Sequence, residues 1–201
     1  MHPTIFAAFD RICAARGVCG RVLEIGAMPA ADTLLNLPSL AGCARTGINL
    51  DGPHSWNGVE ILRGDSGAMS MFADRGFDAI LCNSVLEYDR RFWRTLAEIR
   101  RVGRPGAVVV IGVPGFDEQP RNVARAALAV LARLPLPGAT VRWIDALRAS
   151  TPTLLIHSHP VDYFRFSRQA MADILLERLD DARIEILMRP PRIIGSGCLP
   201  A

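Results

Sequence analysis

The chain has 201 residues, 50% of them apolar and 21% charged, with a formal net charge of +3. That balance excludes a disordered or collagen-like chain, and no run approaches the roughly 18 apolar residues of a membrane-spanning helix. All 23 basic residues are arginine, which excludes lysine Schiff-base chemistry and the phosphate-binding lysine of a P-loop.

In chain order, Ile5, Phe6, Phe9, Ile12 and Cys13 share one face of a predicted helix over Pro3 to Arg16. Arg21 to Ile25 reads as a short apolar strand ended by Gly26, and Ala30 to Leu37 as a short helix stopped by Pro38. Ala44 to Leu50 is the next predicted strand, closed by the turn Asp51-Gly52-Pro53. Val59 to Leu62 is a shorter strand, and Ser66 caps a predicted helix through Asp74. The continuous apolar run Phe77 to Cys82 suits a strand buried on both faces of a parallel sheet. Arg90 to Val102 is a predicted helix stopped by Gly103-Arg104-Pro105-Gly106, and Ala107 to Val113 is a central strand.

After Pro114-Gly115 the rhythm changes. Residues 117–160 hold an amphipathic helix, about Gln119 to Leu134, and a second helical piece around Val141 to Ala149. Val161 to Phe166 leads into a helix over Ser167 to Leu179. Arg183 to Met188 and Arg192 to Gly197, joined at Pro190-Pro191, form an antiparallel hairpin. The expected fold is α/β: a doubly wound, Rossmann-like sheet of seven strands, mostly parallel, with a C-terminal antiparallel hairpin and helices on both faces. The length predicts one domain, 1–201, with 117–160 as a helical insertion or lid.

The five cysteines, Cys13, Cys19, Cys43, Cys82 and Cys198, match no zinc spacing and read as reduced, mostly core thiols, so no metal site is expected. Residues 1–16 lack the layout of a signal peptide, which makes a cytoplasmic location the expectation. A net charge of +3 is weak support for nucleic-acid binding.

Four segments carry the chemistry: Val22-Leu23-Glu24-Ile25-Gly26-Ala27, Thr46-Gly47-Ile48-Asn49-Leu50-Asp51, Gly64-Asp65-Ser66, and Phe77-Asp78-Ala79-Ile80-Leu81-Cys82-Asn83-Ser84-Val85-Leu86-Glu87-Tyr88. A looser fifth is His159-Pro160-Val161-Asp162-Tyr163-Phe164-Arg165-Phe166-Ser167 before the last helix. In this order and at these spacings the chain resembles the class I S-adenosylmethionine-dependent methyltransferases of the small bacterial kind. The resemblance covers about residues 20–113 and 159–197.

That resemblance implies S-adenosylmethionine as cofactor. It places Glu24 near the methionine ammonium, with Gly26 and Ala27 at the close-approach turn. Asn49 at the family position, or the true acid Asp51 beside it, would hold the ribose hydroxyls. Asp65 with the amide of Ser66 would take the adenine, and Asn83 and Ser84 would border the sulfonium. The structural alternatives are a strand-end role for Glu24, a cap for Asp65 and an Asx-type turn for Asp51. Tyr88, His157 and His159 are the catalytic candidates, with Glu87 as a further base candidate.

The expected activity is methyl transfer to an oxygen or nitrogen of a small metabolite, natural product or glycan precursor, with a small-molecule acceptor and no nucleic acid as partner. The fourth strand lacks the Asn/Asp-Pro-Pro-aromatic ending of base-nitrogen methylating enzymes. A homodimer through the apolar part of 117–160 is an alternative use of that segment. The alternative function is a non-catalytic binding or scaffold protein on the same fold, motivated by Ala27-Met28-Pro29 where further glycines are expected. A nicotinamide oxidoreductase is disfavoured because Gly-x-Gly-x-x-Gly is absent.

Overall fold

The computed structural model describes residues 1–116, 130, 137–149 and 162–201, the side chains of 144–149 excepted. Contacts divide the chain into two units, Met1–Phe116 with Tyr163–Ala201, and Asp117–Asp162.

The first unit is built on a sheet. Helix α1, Pro3–Ala15, begins with Pro3 at a position that needs no amide hydrogen, and the His2 ring accepts from the Thr4 amide. Ile5, Phe9, Ile12 and Cys13 are buried as their spacing predicts, Ala8 is buried with them, and Phe6 of the predicted face is only half-buried. Strand β1, Arg21–Ile25, lies between β2, Ala44–Asn49, and β5, Phe77–Asn83, both parallel to it. Strand β4, Val59–Arg63, continues the sheet beside β2. Strand β6, Gly103–Pro114, runs parallel to β5. The hairpin of β7, Asp180–Leu187, and β8, Arg192–Cys198, closes the far edge, with β8 antiparallel to β6.

Among the described residues the sheet has eight strands in the order β3-β4-β2-β1-β5-β6-β8-β7, one more than expected. The addition is β3, His54–Trp56, antiparallel to β4 at the edge. Three residues are too few to show a period of two in a sequence. Strand β6 also begins earlier than predicted. Gly103 pairs with Phe77, the register then shifts, and Gly106 takes φ +77°, so the expected turn is absorbed into a bulged strand.

Alternating residues bury the sheet on both faces. Val22, Ala79, Leu81, Val108 and Val110 pack with α1, whereas Leu23, Ile25, Ile80, Val109 and Ile111 pack with α2, Phe92–Val102. Met171, Leu175 and Leu176, in and just after a helical segment that begins at Arg168 and turns π-helical over Met171–Leu175, join the second face. Ser167 caps that segment by accepting from the Ala170 amide.

Two predicted helices are absent. Between β1 and β2 the chain makes two 3-10 turns, Leu34–Asn36 and Pro38–Leu40, and Pro38 opens the second instead of ending a helix. Ser66 to Asp74 forms consecutive turns. Of the five free cysteines, Cys13 and Cys82 are buried, Cys43 and Cys198 half-buried and Cys19 exposed, fewer in the core than expected.

In the second unit, helix α3, Gly138–Ala149, contains the helix predicted around 141–149. The helix expected over 119–134 lies outside the described residues except at Val130, which is helical. Among the described residues no helix is long and apolar enough to cross a membrane.

Candidate functional site

Strand order places the site. From β1 the chain steps outward through β2 to β4, then returns to β5 on the other side of β1. The carboxyl ends of β1 and β5 therefore flank a topological switch point, where open α/β sheets bind ligands. The ends of β4, β2, β1 and β5 are consecutive in the sheet and bring the four sequence segments onto one edge. At about 4.8 Å per strand the arc from β4 to β5 is roughly 15 Å long.

At the end of β1, Glu24 is only 4% exposed. Its carboxylate accepts from the Thr33 hydroxyl and from the amides of Leu34 at 3.1 Å and Leu35 at 3.0 Å. Burial pushes its pKa up to about 7, and the three hydrogen bonds pull the other way. Glu24 thus holds the first 3-10 turn in place of a helix cap. A carboxylate offers about four lone-pair sites, so three protein bonds leave one.

Gly26 follows at φ +81°, and a Cβ there would stand 2.3 Å from a methyl of Val85. Only glycine combines that backbone with so close a neighbour. Ala27 is fully buried, against Gly47.

Asn49, at the end of β2, is occupied on both sides of its amide. Nδ2 donates to the Ala27 carbonyl at 2.7 Å and lies 3.2 Å from the Met28 sulfur, while Oδ1 accepts from the Asp51 amide at 3.1 Å. The Asx turn here belongs to Asn49, and Asp51 stands exposed beyond it. Asp65 accepts from the Gly67 amide at 2.8 Å. The Ser66 hydroxyl lies 2.8 Å from that of Thr95, which donates to Asp89.

At the end of β5 the Asn83 amide lies over Gly112, where a Cβ would come within 2.4 Å of its oxygen. Ser84 adopts φ +55°, donates its amide to Gly112 and accepts at Oγ from Arg192 Nη2 at 2.7 Å. Arg192 Nη1 lies 3.8 Å from a carboxylate oxygen of Glu87, which is fully buried. Among the described residues that Nη1 is buried with no hydrogen-bond partner. The Glu87 carbonyl accepts from the amides of Tyr163 and Phe164, and its carboxylate adds to the burial that raises the Cys82 thiol. Tyr88 is half-buried in the same turn, its amide on Val85. His157 and His159 lie outside the described residues.

The edge therefore brings together Glu24, Gly26, Ala27, Asn49, Asp51, Asp65, Ser66, Asn83, Ser84 and Tyr88. Sequence reasoning missed Arg192, Thr33 and the Thr95–Asp89 pair. Arg192 had one signal, a lone cation opening an apolar strand directly after Pro190-Pro191.

The family model described as a methyltransferase domain matches residues 38–111. The fold matches a Burkholderia thailandensis 1,6-didemethyltoxoflavin N1-methyltransferase, solved with its substrate and S-adenosylhomocysteine, with a TM-score of 0.65. Identity is 18%, over 98% of this chain and 78% of that one. The chain has the fold of these methyltransferases, and its residues 38–111 match the methyltransferase-domain model. The domain is also similar to the N-methyltransferase NodS of Bradyrhizobium japonicum in complex with S-adenosylhomocysteine (TM-score 0.60, 17% identity, 98% of this chain and 87% of that one). A methyltransferase of Methanosarcina mazei matches over 100% and 99% of the two chains at 15% identity, with a TM-score of 0.58. No curated protein sequence matches the domain.

Proposed function

We propose that the protein transfers the methyl group of S-adenosylmethionine to an oxygen or nitrogen of a small metabolite, natural product or glycan precursor. The observation that carries this reading is the convergence of Glu24, Asp51, Asp65 and Asn83 on four adjacent strand ends at the switch point.

The donor set suits the cofactor. Asp51 and Asp65 offer carboxylates for the ribose hydroxyls and the adenine amine. Of the two ribose candidates Asn49 is held by the loop, which favours Asp51 and keeps Asn49 as the alternative. Glu24 fixes the turn that follows Gly26 and keeps one acceptor site towards an ammonium. Asn83 and Ser84, set by Gly112 and Arg192, border the centre of the edge.

When bound, the cofactor supplies an already activated methyl group. The protein's part is to align the acceptor with it and exclude water, and such positioning carries much of the rate. The acceptor's proton leaves to a base or to solvent. Tyr88, His157 and His159 are the proposed catalytic residues, with Glu87 as a further base. A small-molecule acceptor, no nucleic-acid partner and a cytoplasmic location complete the reading. The inserted 117–160 segment is proposed as lid or acceptor pocket, with a homodimer interface as its other use.

A second reading, a non-catalytic scaffold on the methyltransferase fold, is favoured by one observation: the Asn49 amide is turned inward onto Ala27 and Met28. Thermal unfolding separates the two. At 100 times its dissociation constant, S-adenosylhomocysteine should add about 2.7 kcal/mol of stability, with no shift from NAD. No shift with either sulfur cofactor at millimolar concentration would leave the scaffold reading.

A further inference from the structure

At the opposite end of the sheet, roughly 20 Å from Asn83 along β5, lies a cavity of about 220 Å³. It is framed by the start of β6, the turn before β5 and the turn before β7. Arg75, Arg100, Arg104 and Arg178 line it, and none of its lining residues is acidic. Pro105 and Leu199 supply apolar wall.

The four guanidinium groups fall into two pairs. Arg100 is anchored on the carbonyl and carboxylate of Glu177, and Arg104 on the Arg75 carbonyl and Asp78. The Arg75 side chain has no hydrogen bond or ion pair among the described residues, and Arg178 meets only its chain neighbour Glu177, at 3.9 Å. Both Arg75 and Arg178 are exposed, and both sit at positive φ, +54° and +64°. Residues other than glycine seldom adopt that conformation without a reason in their surroundings.

The inventory selects a ligand. Arg100 and Arg104 are ion-paired to Glu177 and Asp78, which leaves the exposed forks of Arg75 and Arg178 to engage an anion with two groups, and the planar arginine fork matches phosphate oxygens in bidentate fashion. The volume is below the roughly 300–1,000 Å³ of pockets that enclose whole drug-sized ligands. It therefore suits an anionic group more than a complete nucleotide.

We propose that this cavity binds the diphosphate group of a small ligand, with Arg75 and Arg178 engaging it beside the carboxylate-anchored Arg100 and Arg104. The site is distinct from the carboxyl edge and does not depend on the methyl-transfer reading. The diphosphate could come from free pyrophosphate or from a nucleoside diphosphate whose nucleoside stays outside the cavity.

Calorimetric titration of the whole chain in about 0.1 M salt, where charges more than about 10 Å apart are screened, tests it. Inorganic pyrophosphate, ADP and single-stranded RNA oligomers of two lengths are the probes. Saturable one-to-one binding of pyrophosphate alone points to the free ion, and equal or tighter binding of ADP to a nucleotide. Either supports the proposal. The double substitution Arg75→Ala/Arg178→Ala should weaken binding by about tenfold or more while leaving the unliganded melting temperature in place. The single substitution Arg178→Gly, which suits the positive φ, should also weaken it and so excludes misfolding as the cause. No saturable heat at millimolar pyrophosphate or ADP, unchanged affinity in these variants, or affinity that simply grows with RNA length would overturn it.

Discussion

Glu24 is a buried carboxylate whose neighbours are hydrogen-bond donors and not cations. Its folded pKa of about 7 lies above the 4.5 of an ordinary glutamate. Between those values the folded state keeps a proton that the unfolded chain has lost. Stability is therefore greatest below about pH 4.5 and falls as pH rises to about 7, by at most roughly 3 kcal/mol from this group. Urea unfolding at about pH 4.5 and pH 8 should show that loss in the parent chain and not in Glu24→Gln. Equal pH dependence in both would mean the carboxylate is ionised throughout. That an acid sits at this strand end is plain from the sequence. Its partners are not, because Thr33, Leu34 and Leu35 meet it only once the intervening loop has its shape. The same holds for Arg192 and Ser84, which lie 108 positions apart.

The connection from β1 to β2 is the element where expectation and structure part most clearly. Leu34, Leu35, Leu37 and Leu40 are all fully or almost fully buried. Their spacing resembles a helix, yet Pro29 and Pro38 and the pull of Glu24 on two successive amides leave two short 3-10 turns instead. Hydrophobic spacing shows which residues go inside, and over so short a segment it does not distinguish the helical forms. If Glu24 organises this connection, Thr33→Val should remove one charge-assisted bond at nearly constant volume. It should cost about 1.5–3 kcal/mol in urea unfolding at about pH 8, above the Glu24 pKa. A cost near zero would mean the turn stands without its carboxylate. The long apolar strands β5 and β6 and the helices α1 and α2 were legible because each buries a face that its sequence repeats several times. The segment from Ser66 to Asp74 carries no such repeat, with Gly67 inside it and only Met69 fully buried.

At the scale of the whole molecule, the sheet is covered on both faces by two separate apolar clusters that meet through β1, β5 and β6. These strands have neighbours on each side, whereas β3 holds three residues at an edge. Native-state hydrogen exchange should therefore show the slowest amides in the interiors of β1, β5 and β6, near the global unfolding free energy, and the fastest strand amides in β3. Comparable protection in β3 would contradict this division of the sheet. The doubly wound order itself was legible, since alternating strands and helices with right-handed crossovers leave few topologies. The edge strand was not, because nothing in three residues distinguishes a strand from a turn.

The chain leaves the sheet unit at Phe116 and re-enters it at Tyr163. On either side of that excursion it is fastened to itself. Phe166 donates to Pro114 and accepts from Phe116, Gly115 donates to Pro191, and Tyr163 donates to Glu87. The two stems of the inserted unit are thus joined by the framework, whatever lies between them. Closing a loop between fixed ends costs only about 0.6 kcal/mol more for each doubling of its length. A change in the length of chain between these stems would therefore act on the segment itself, while the strand ends keep the register that their own hydrogen bonds set.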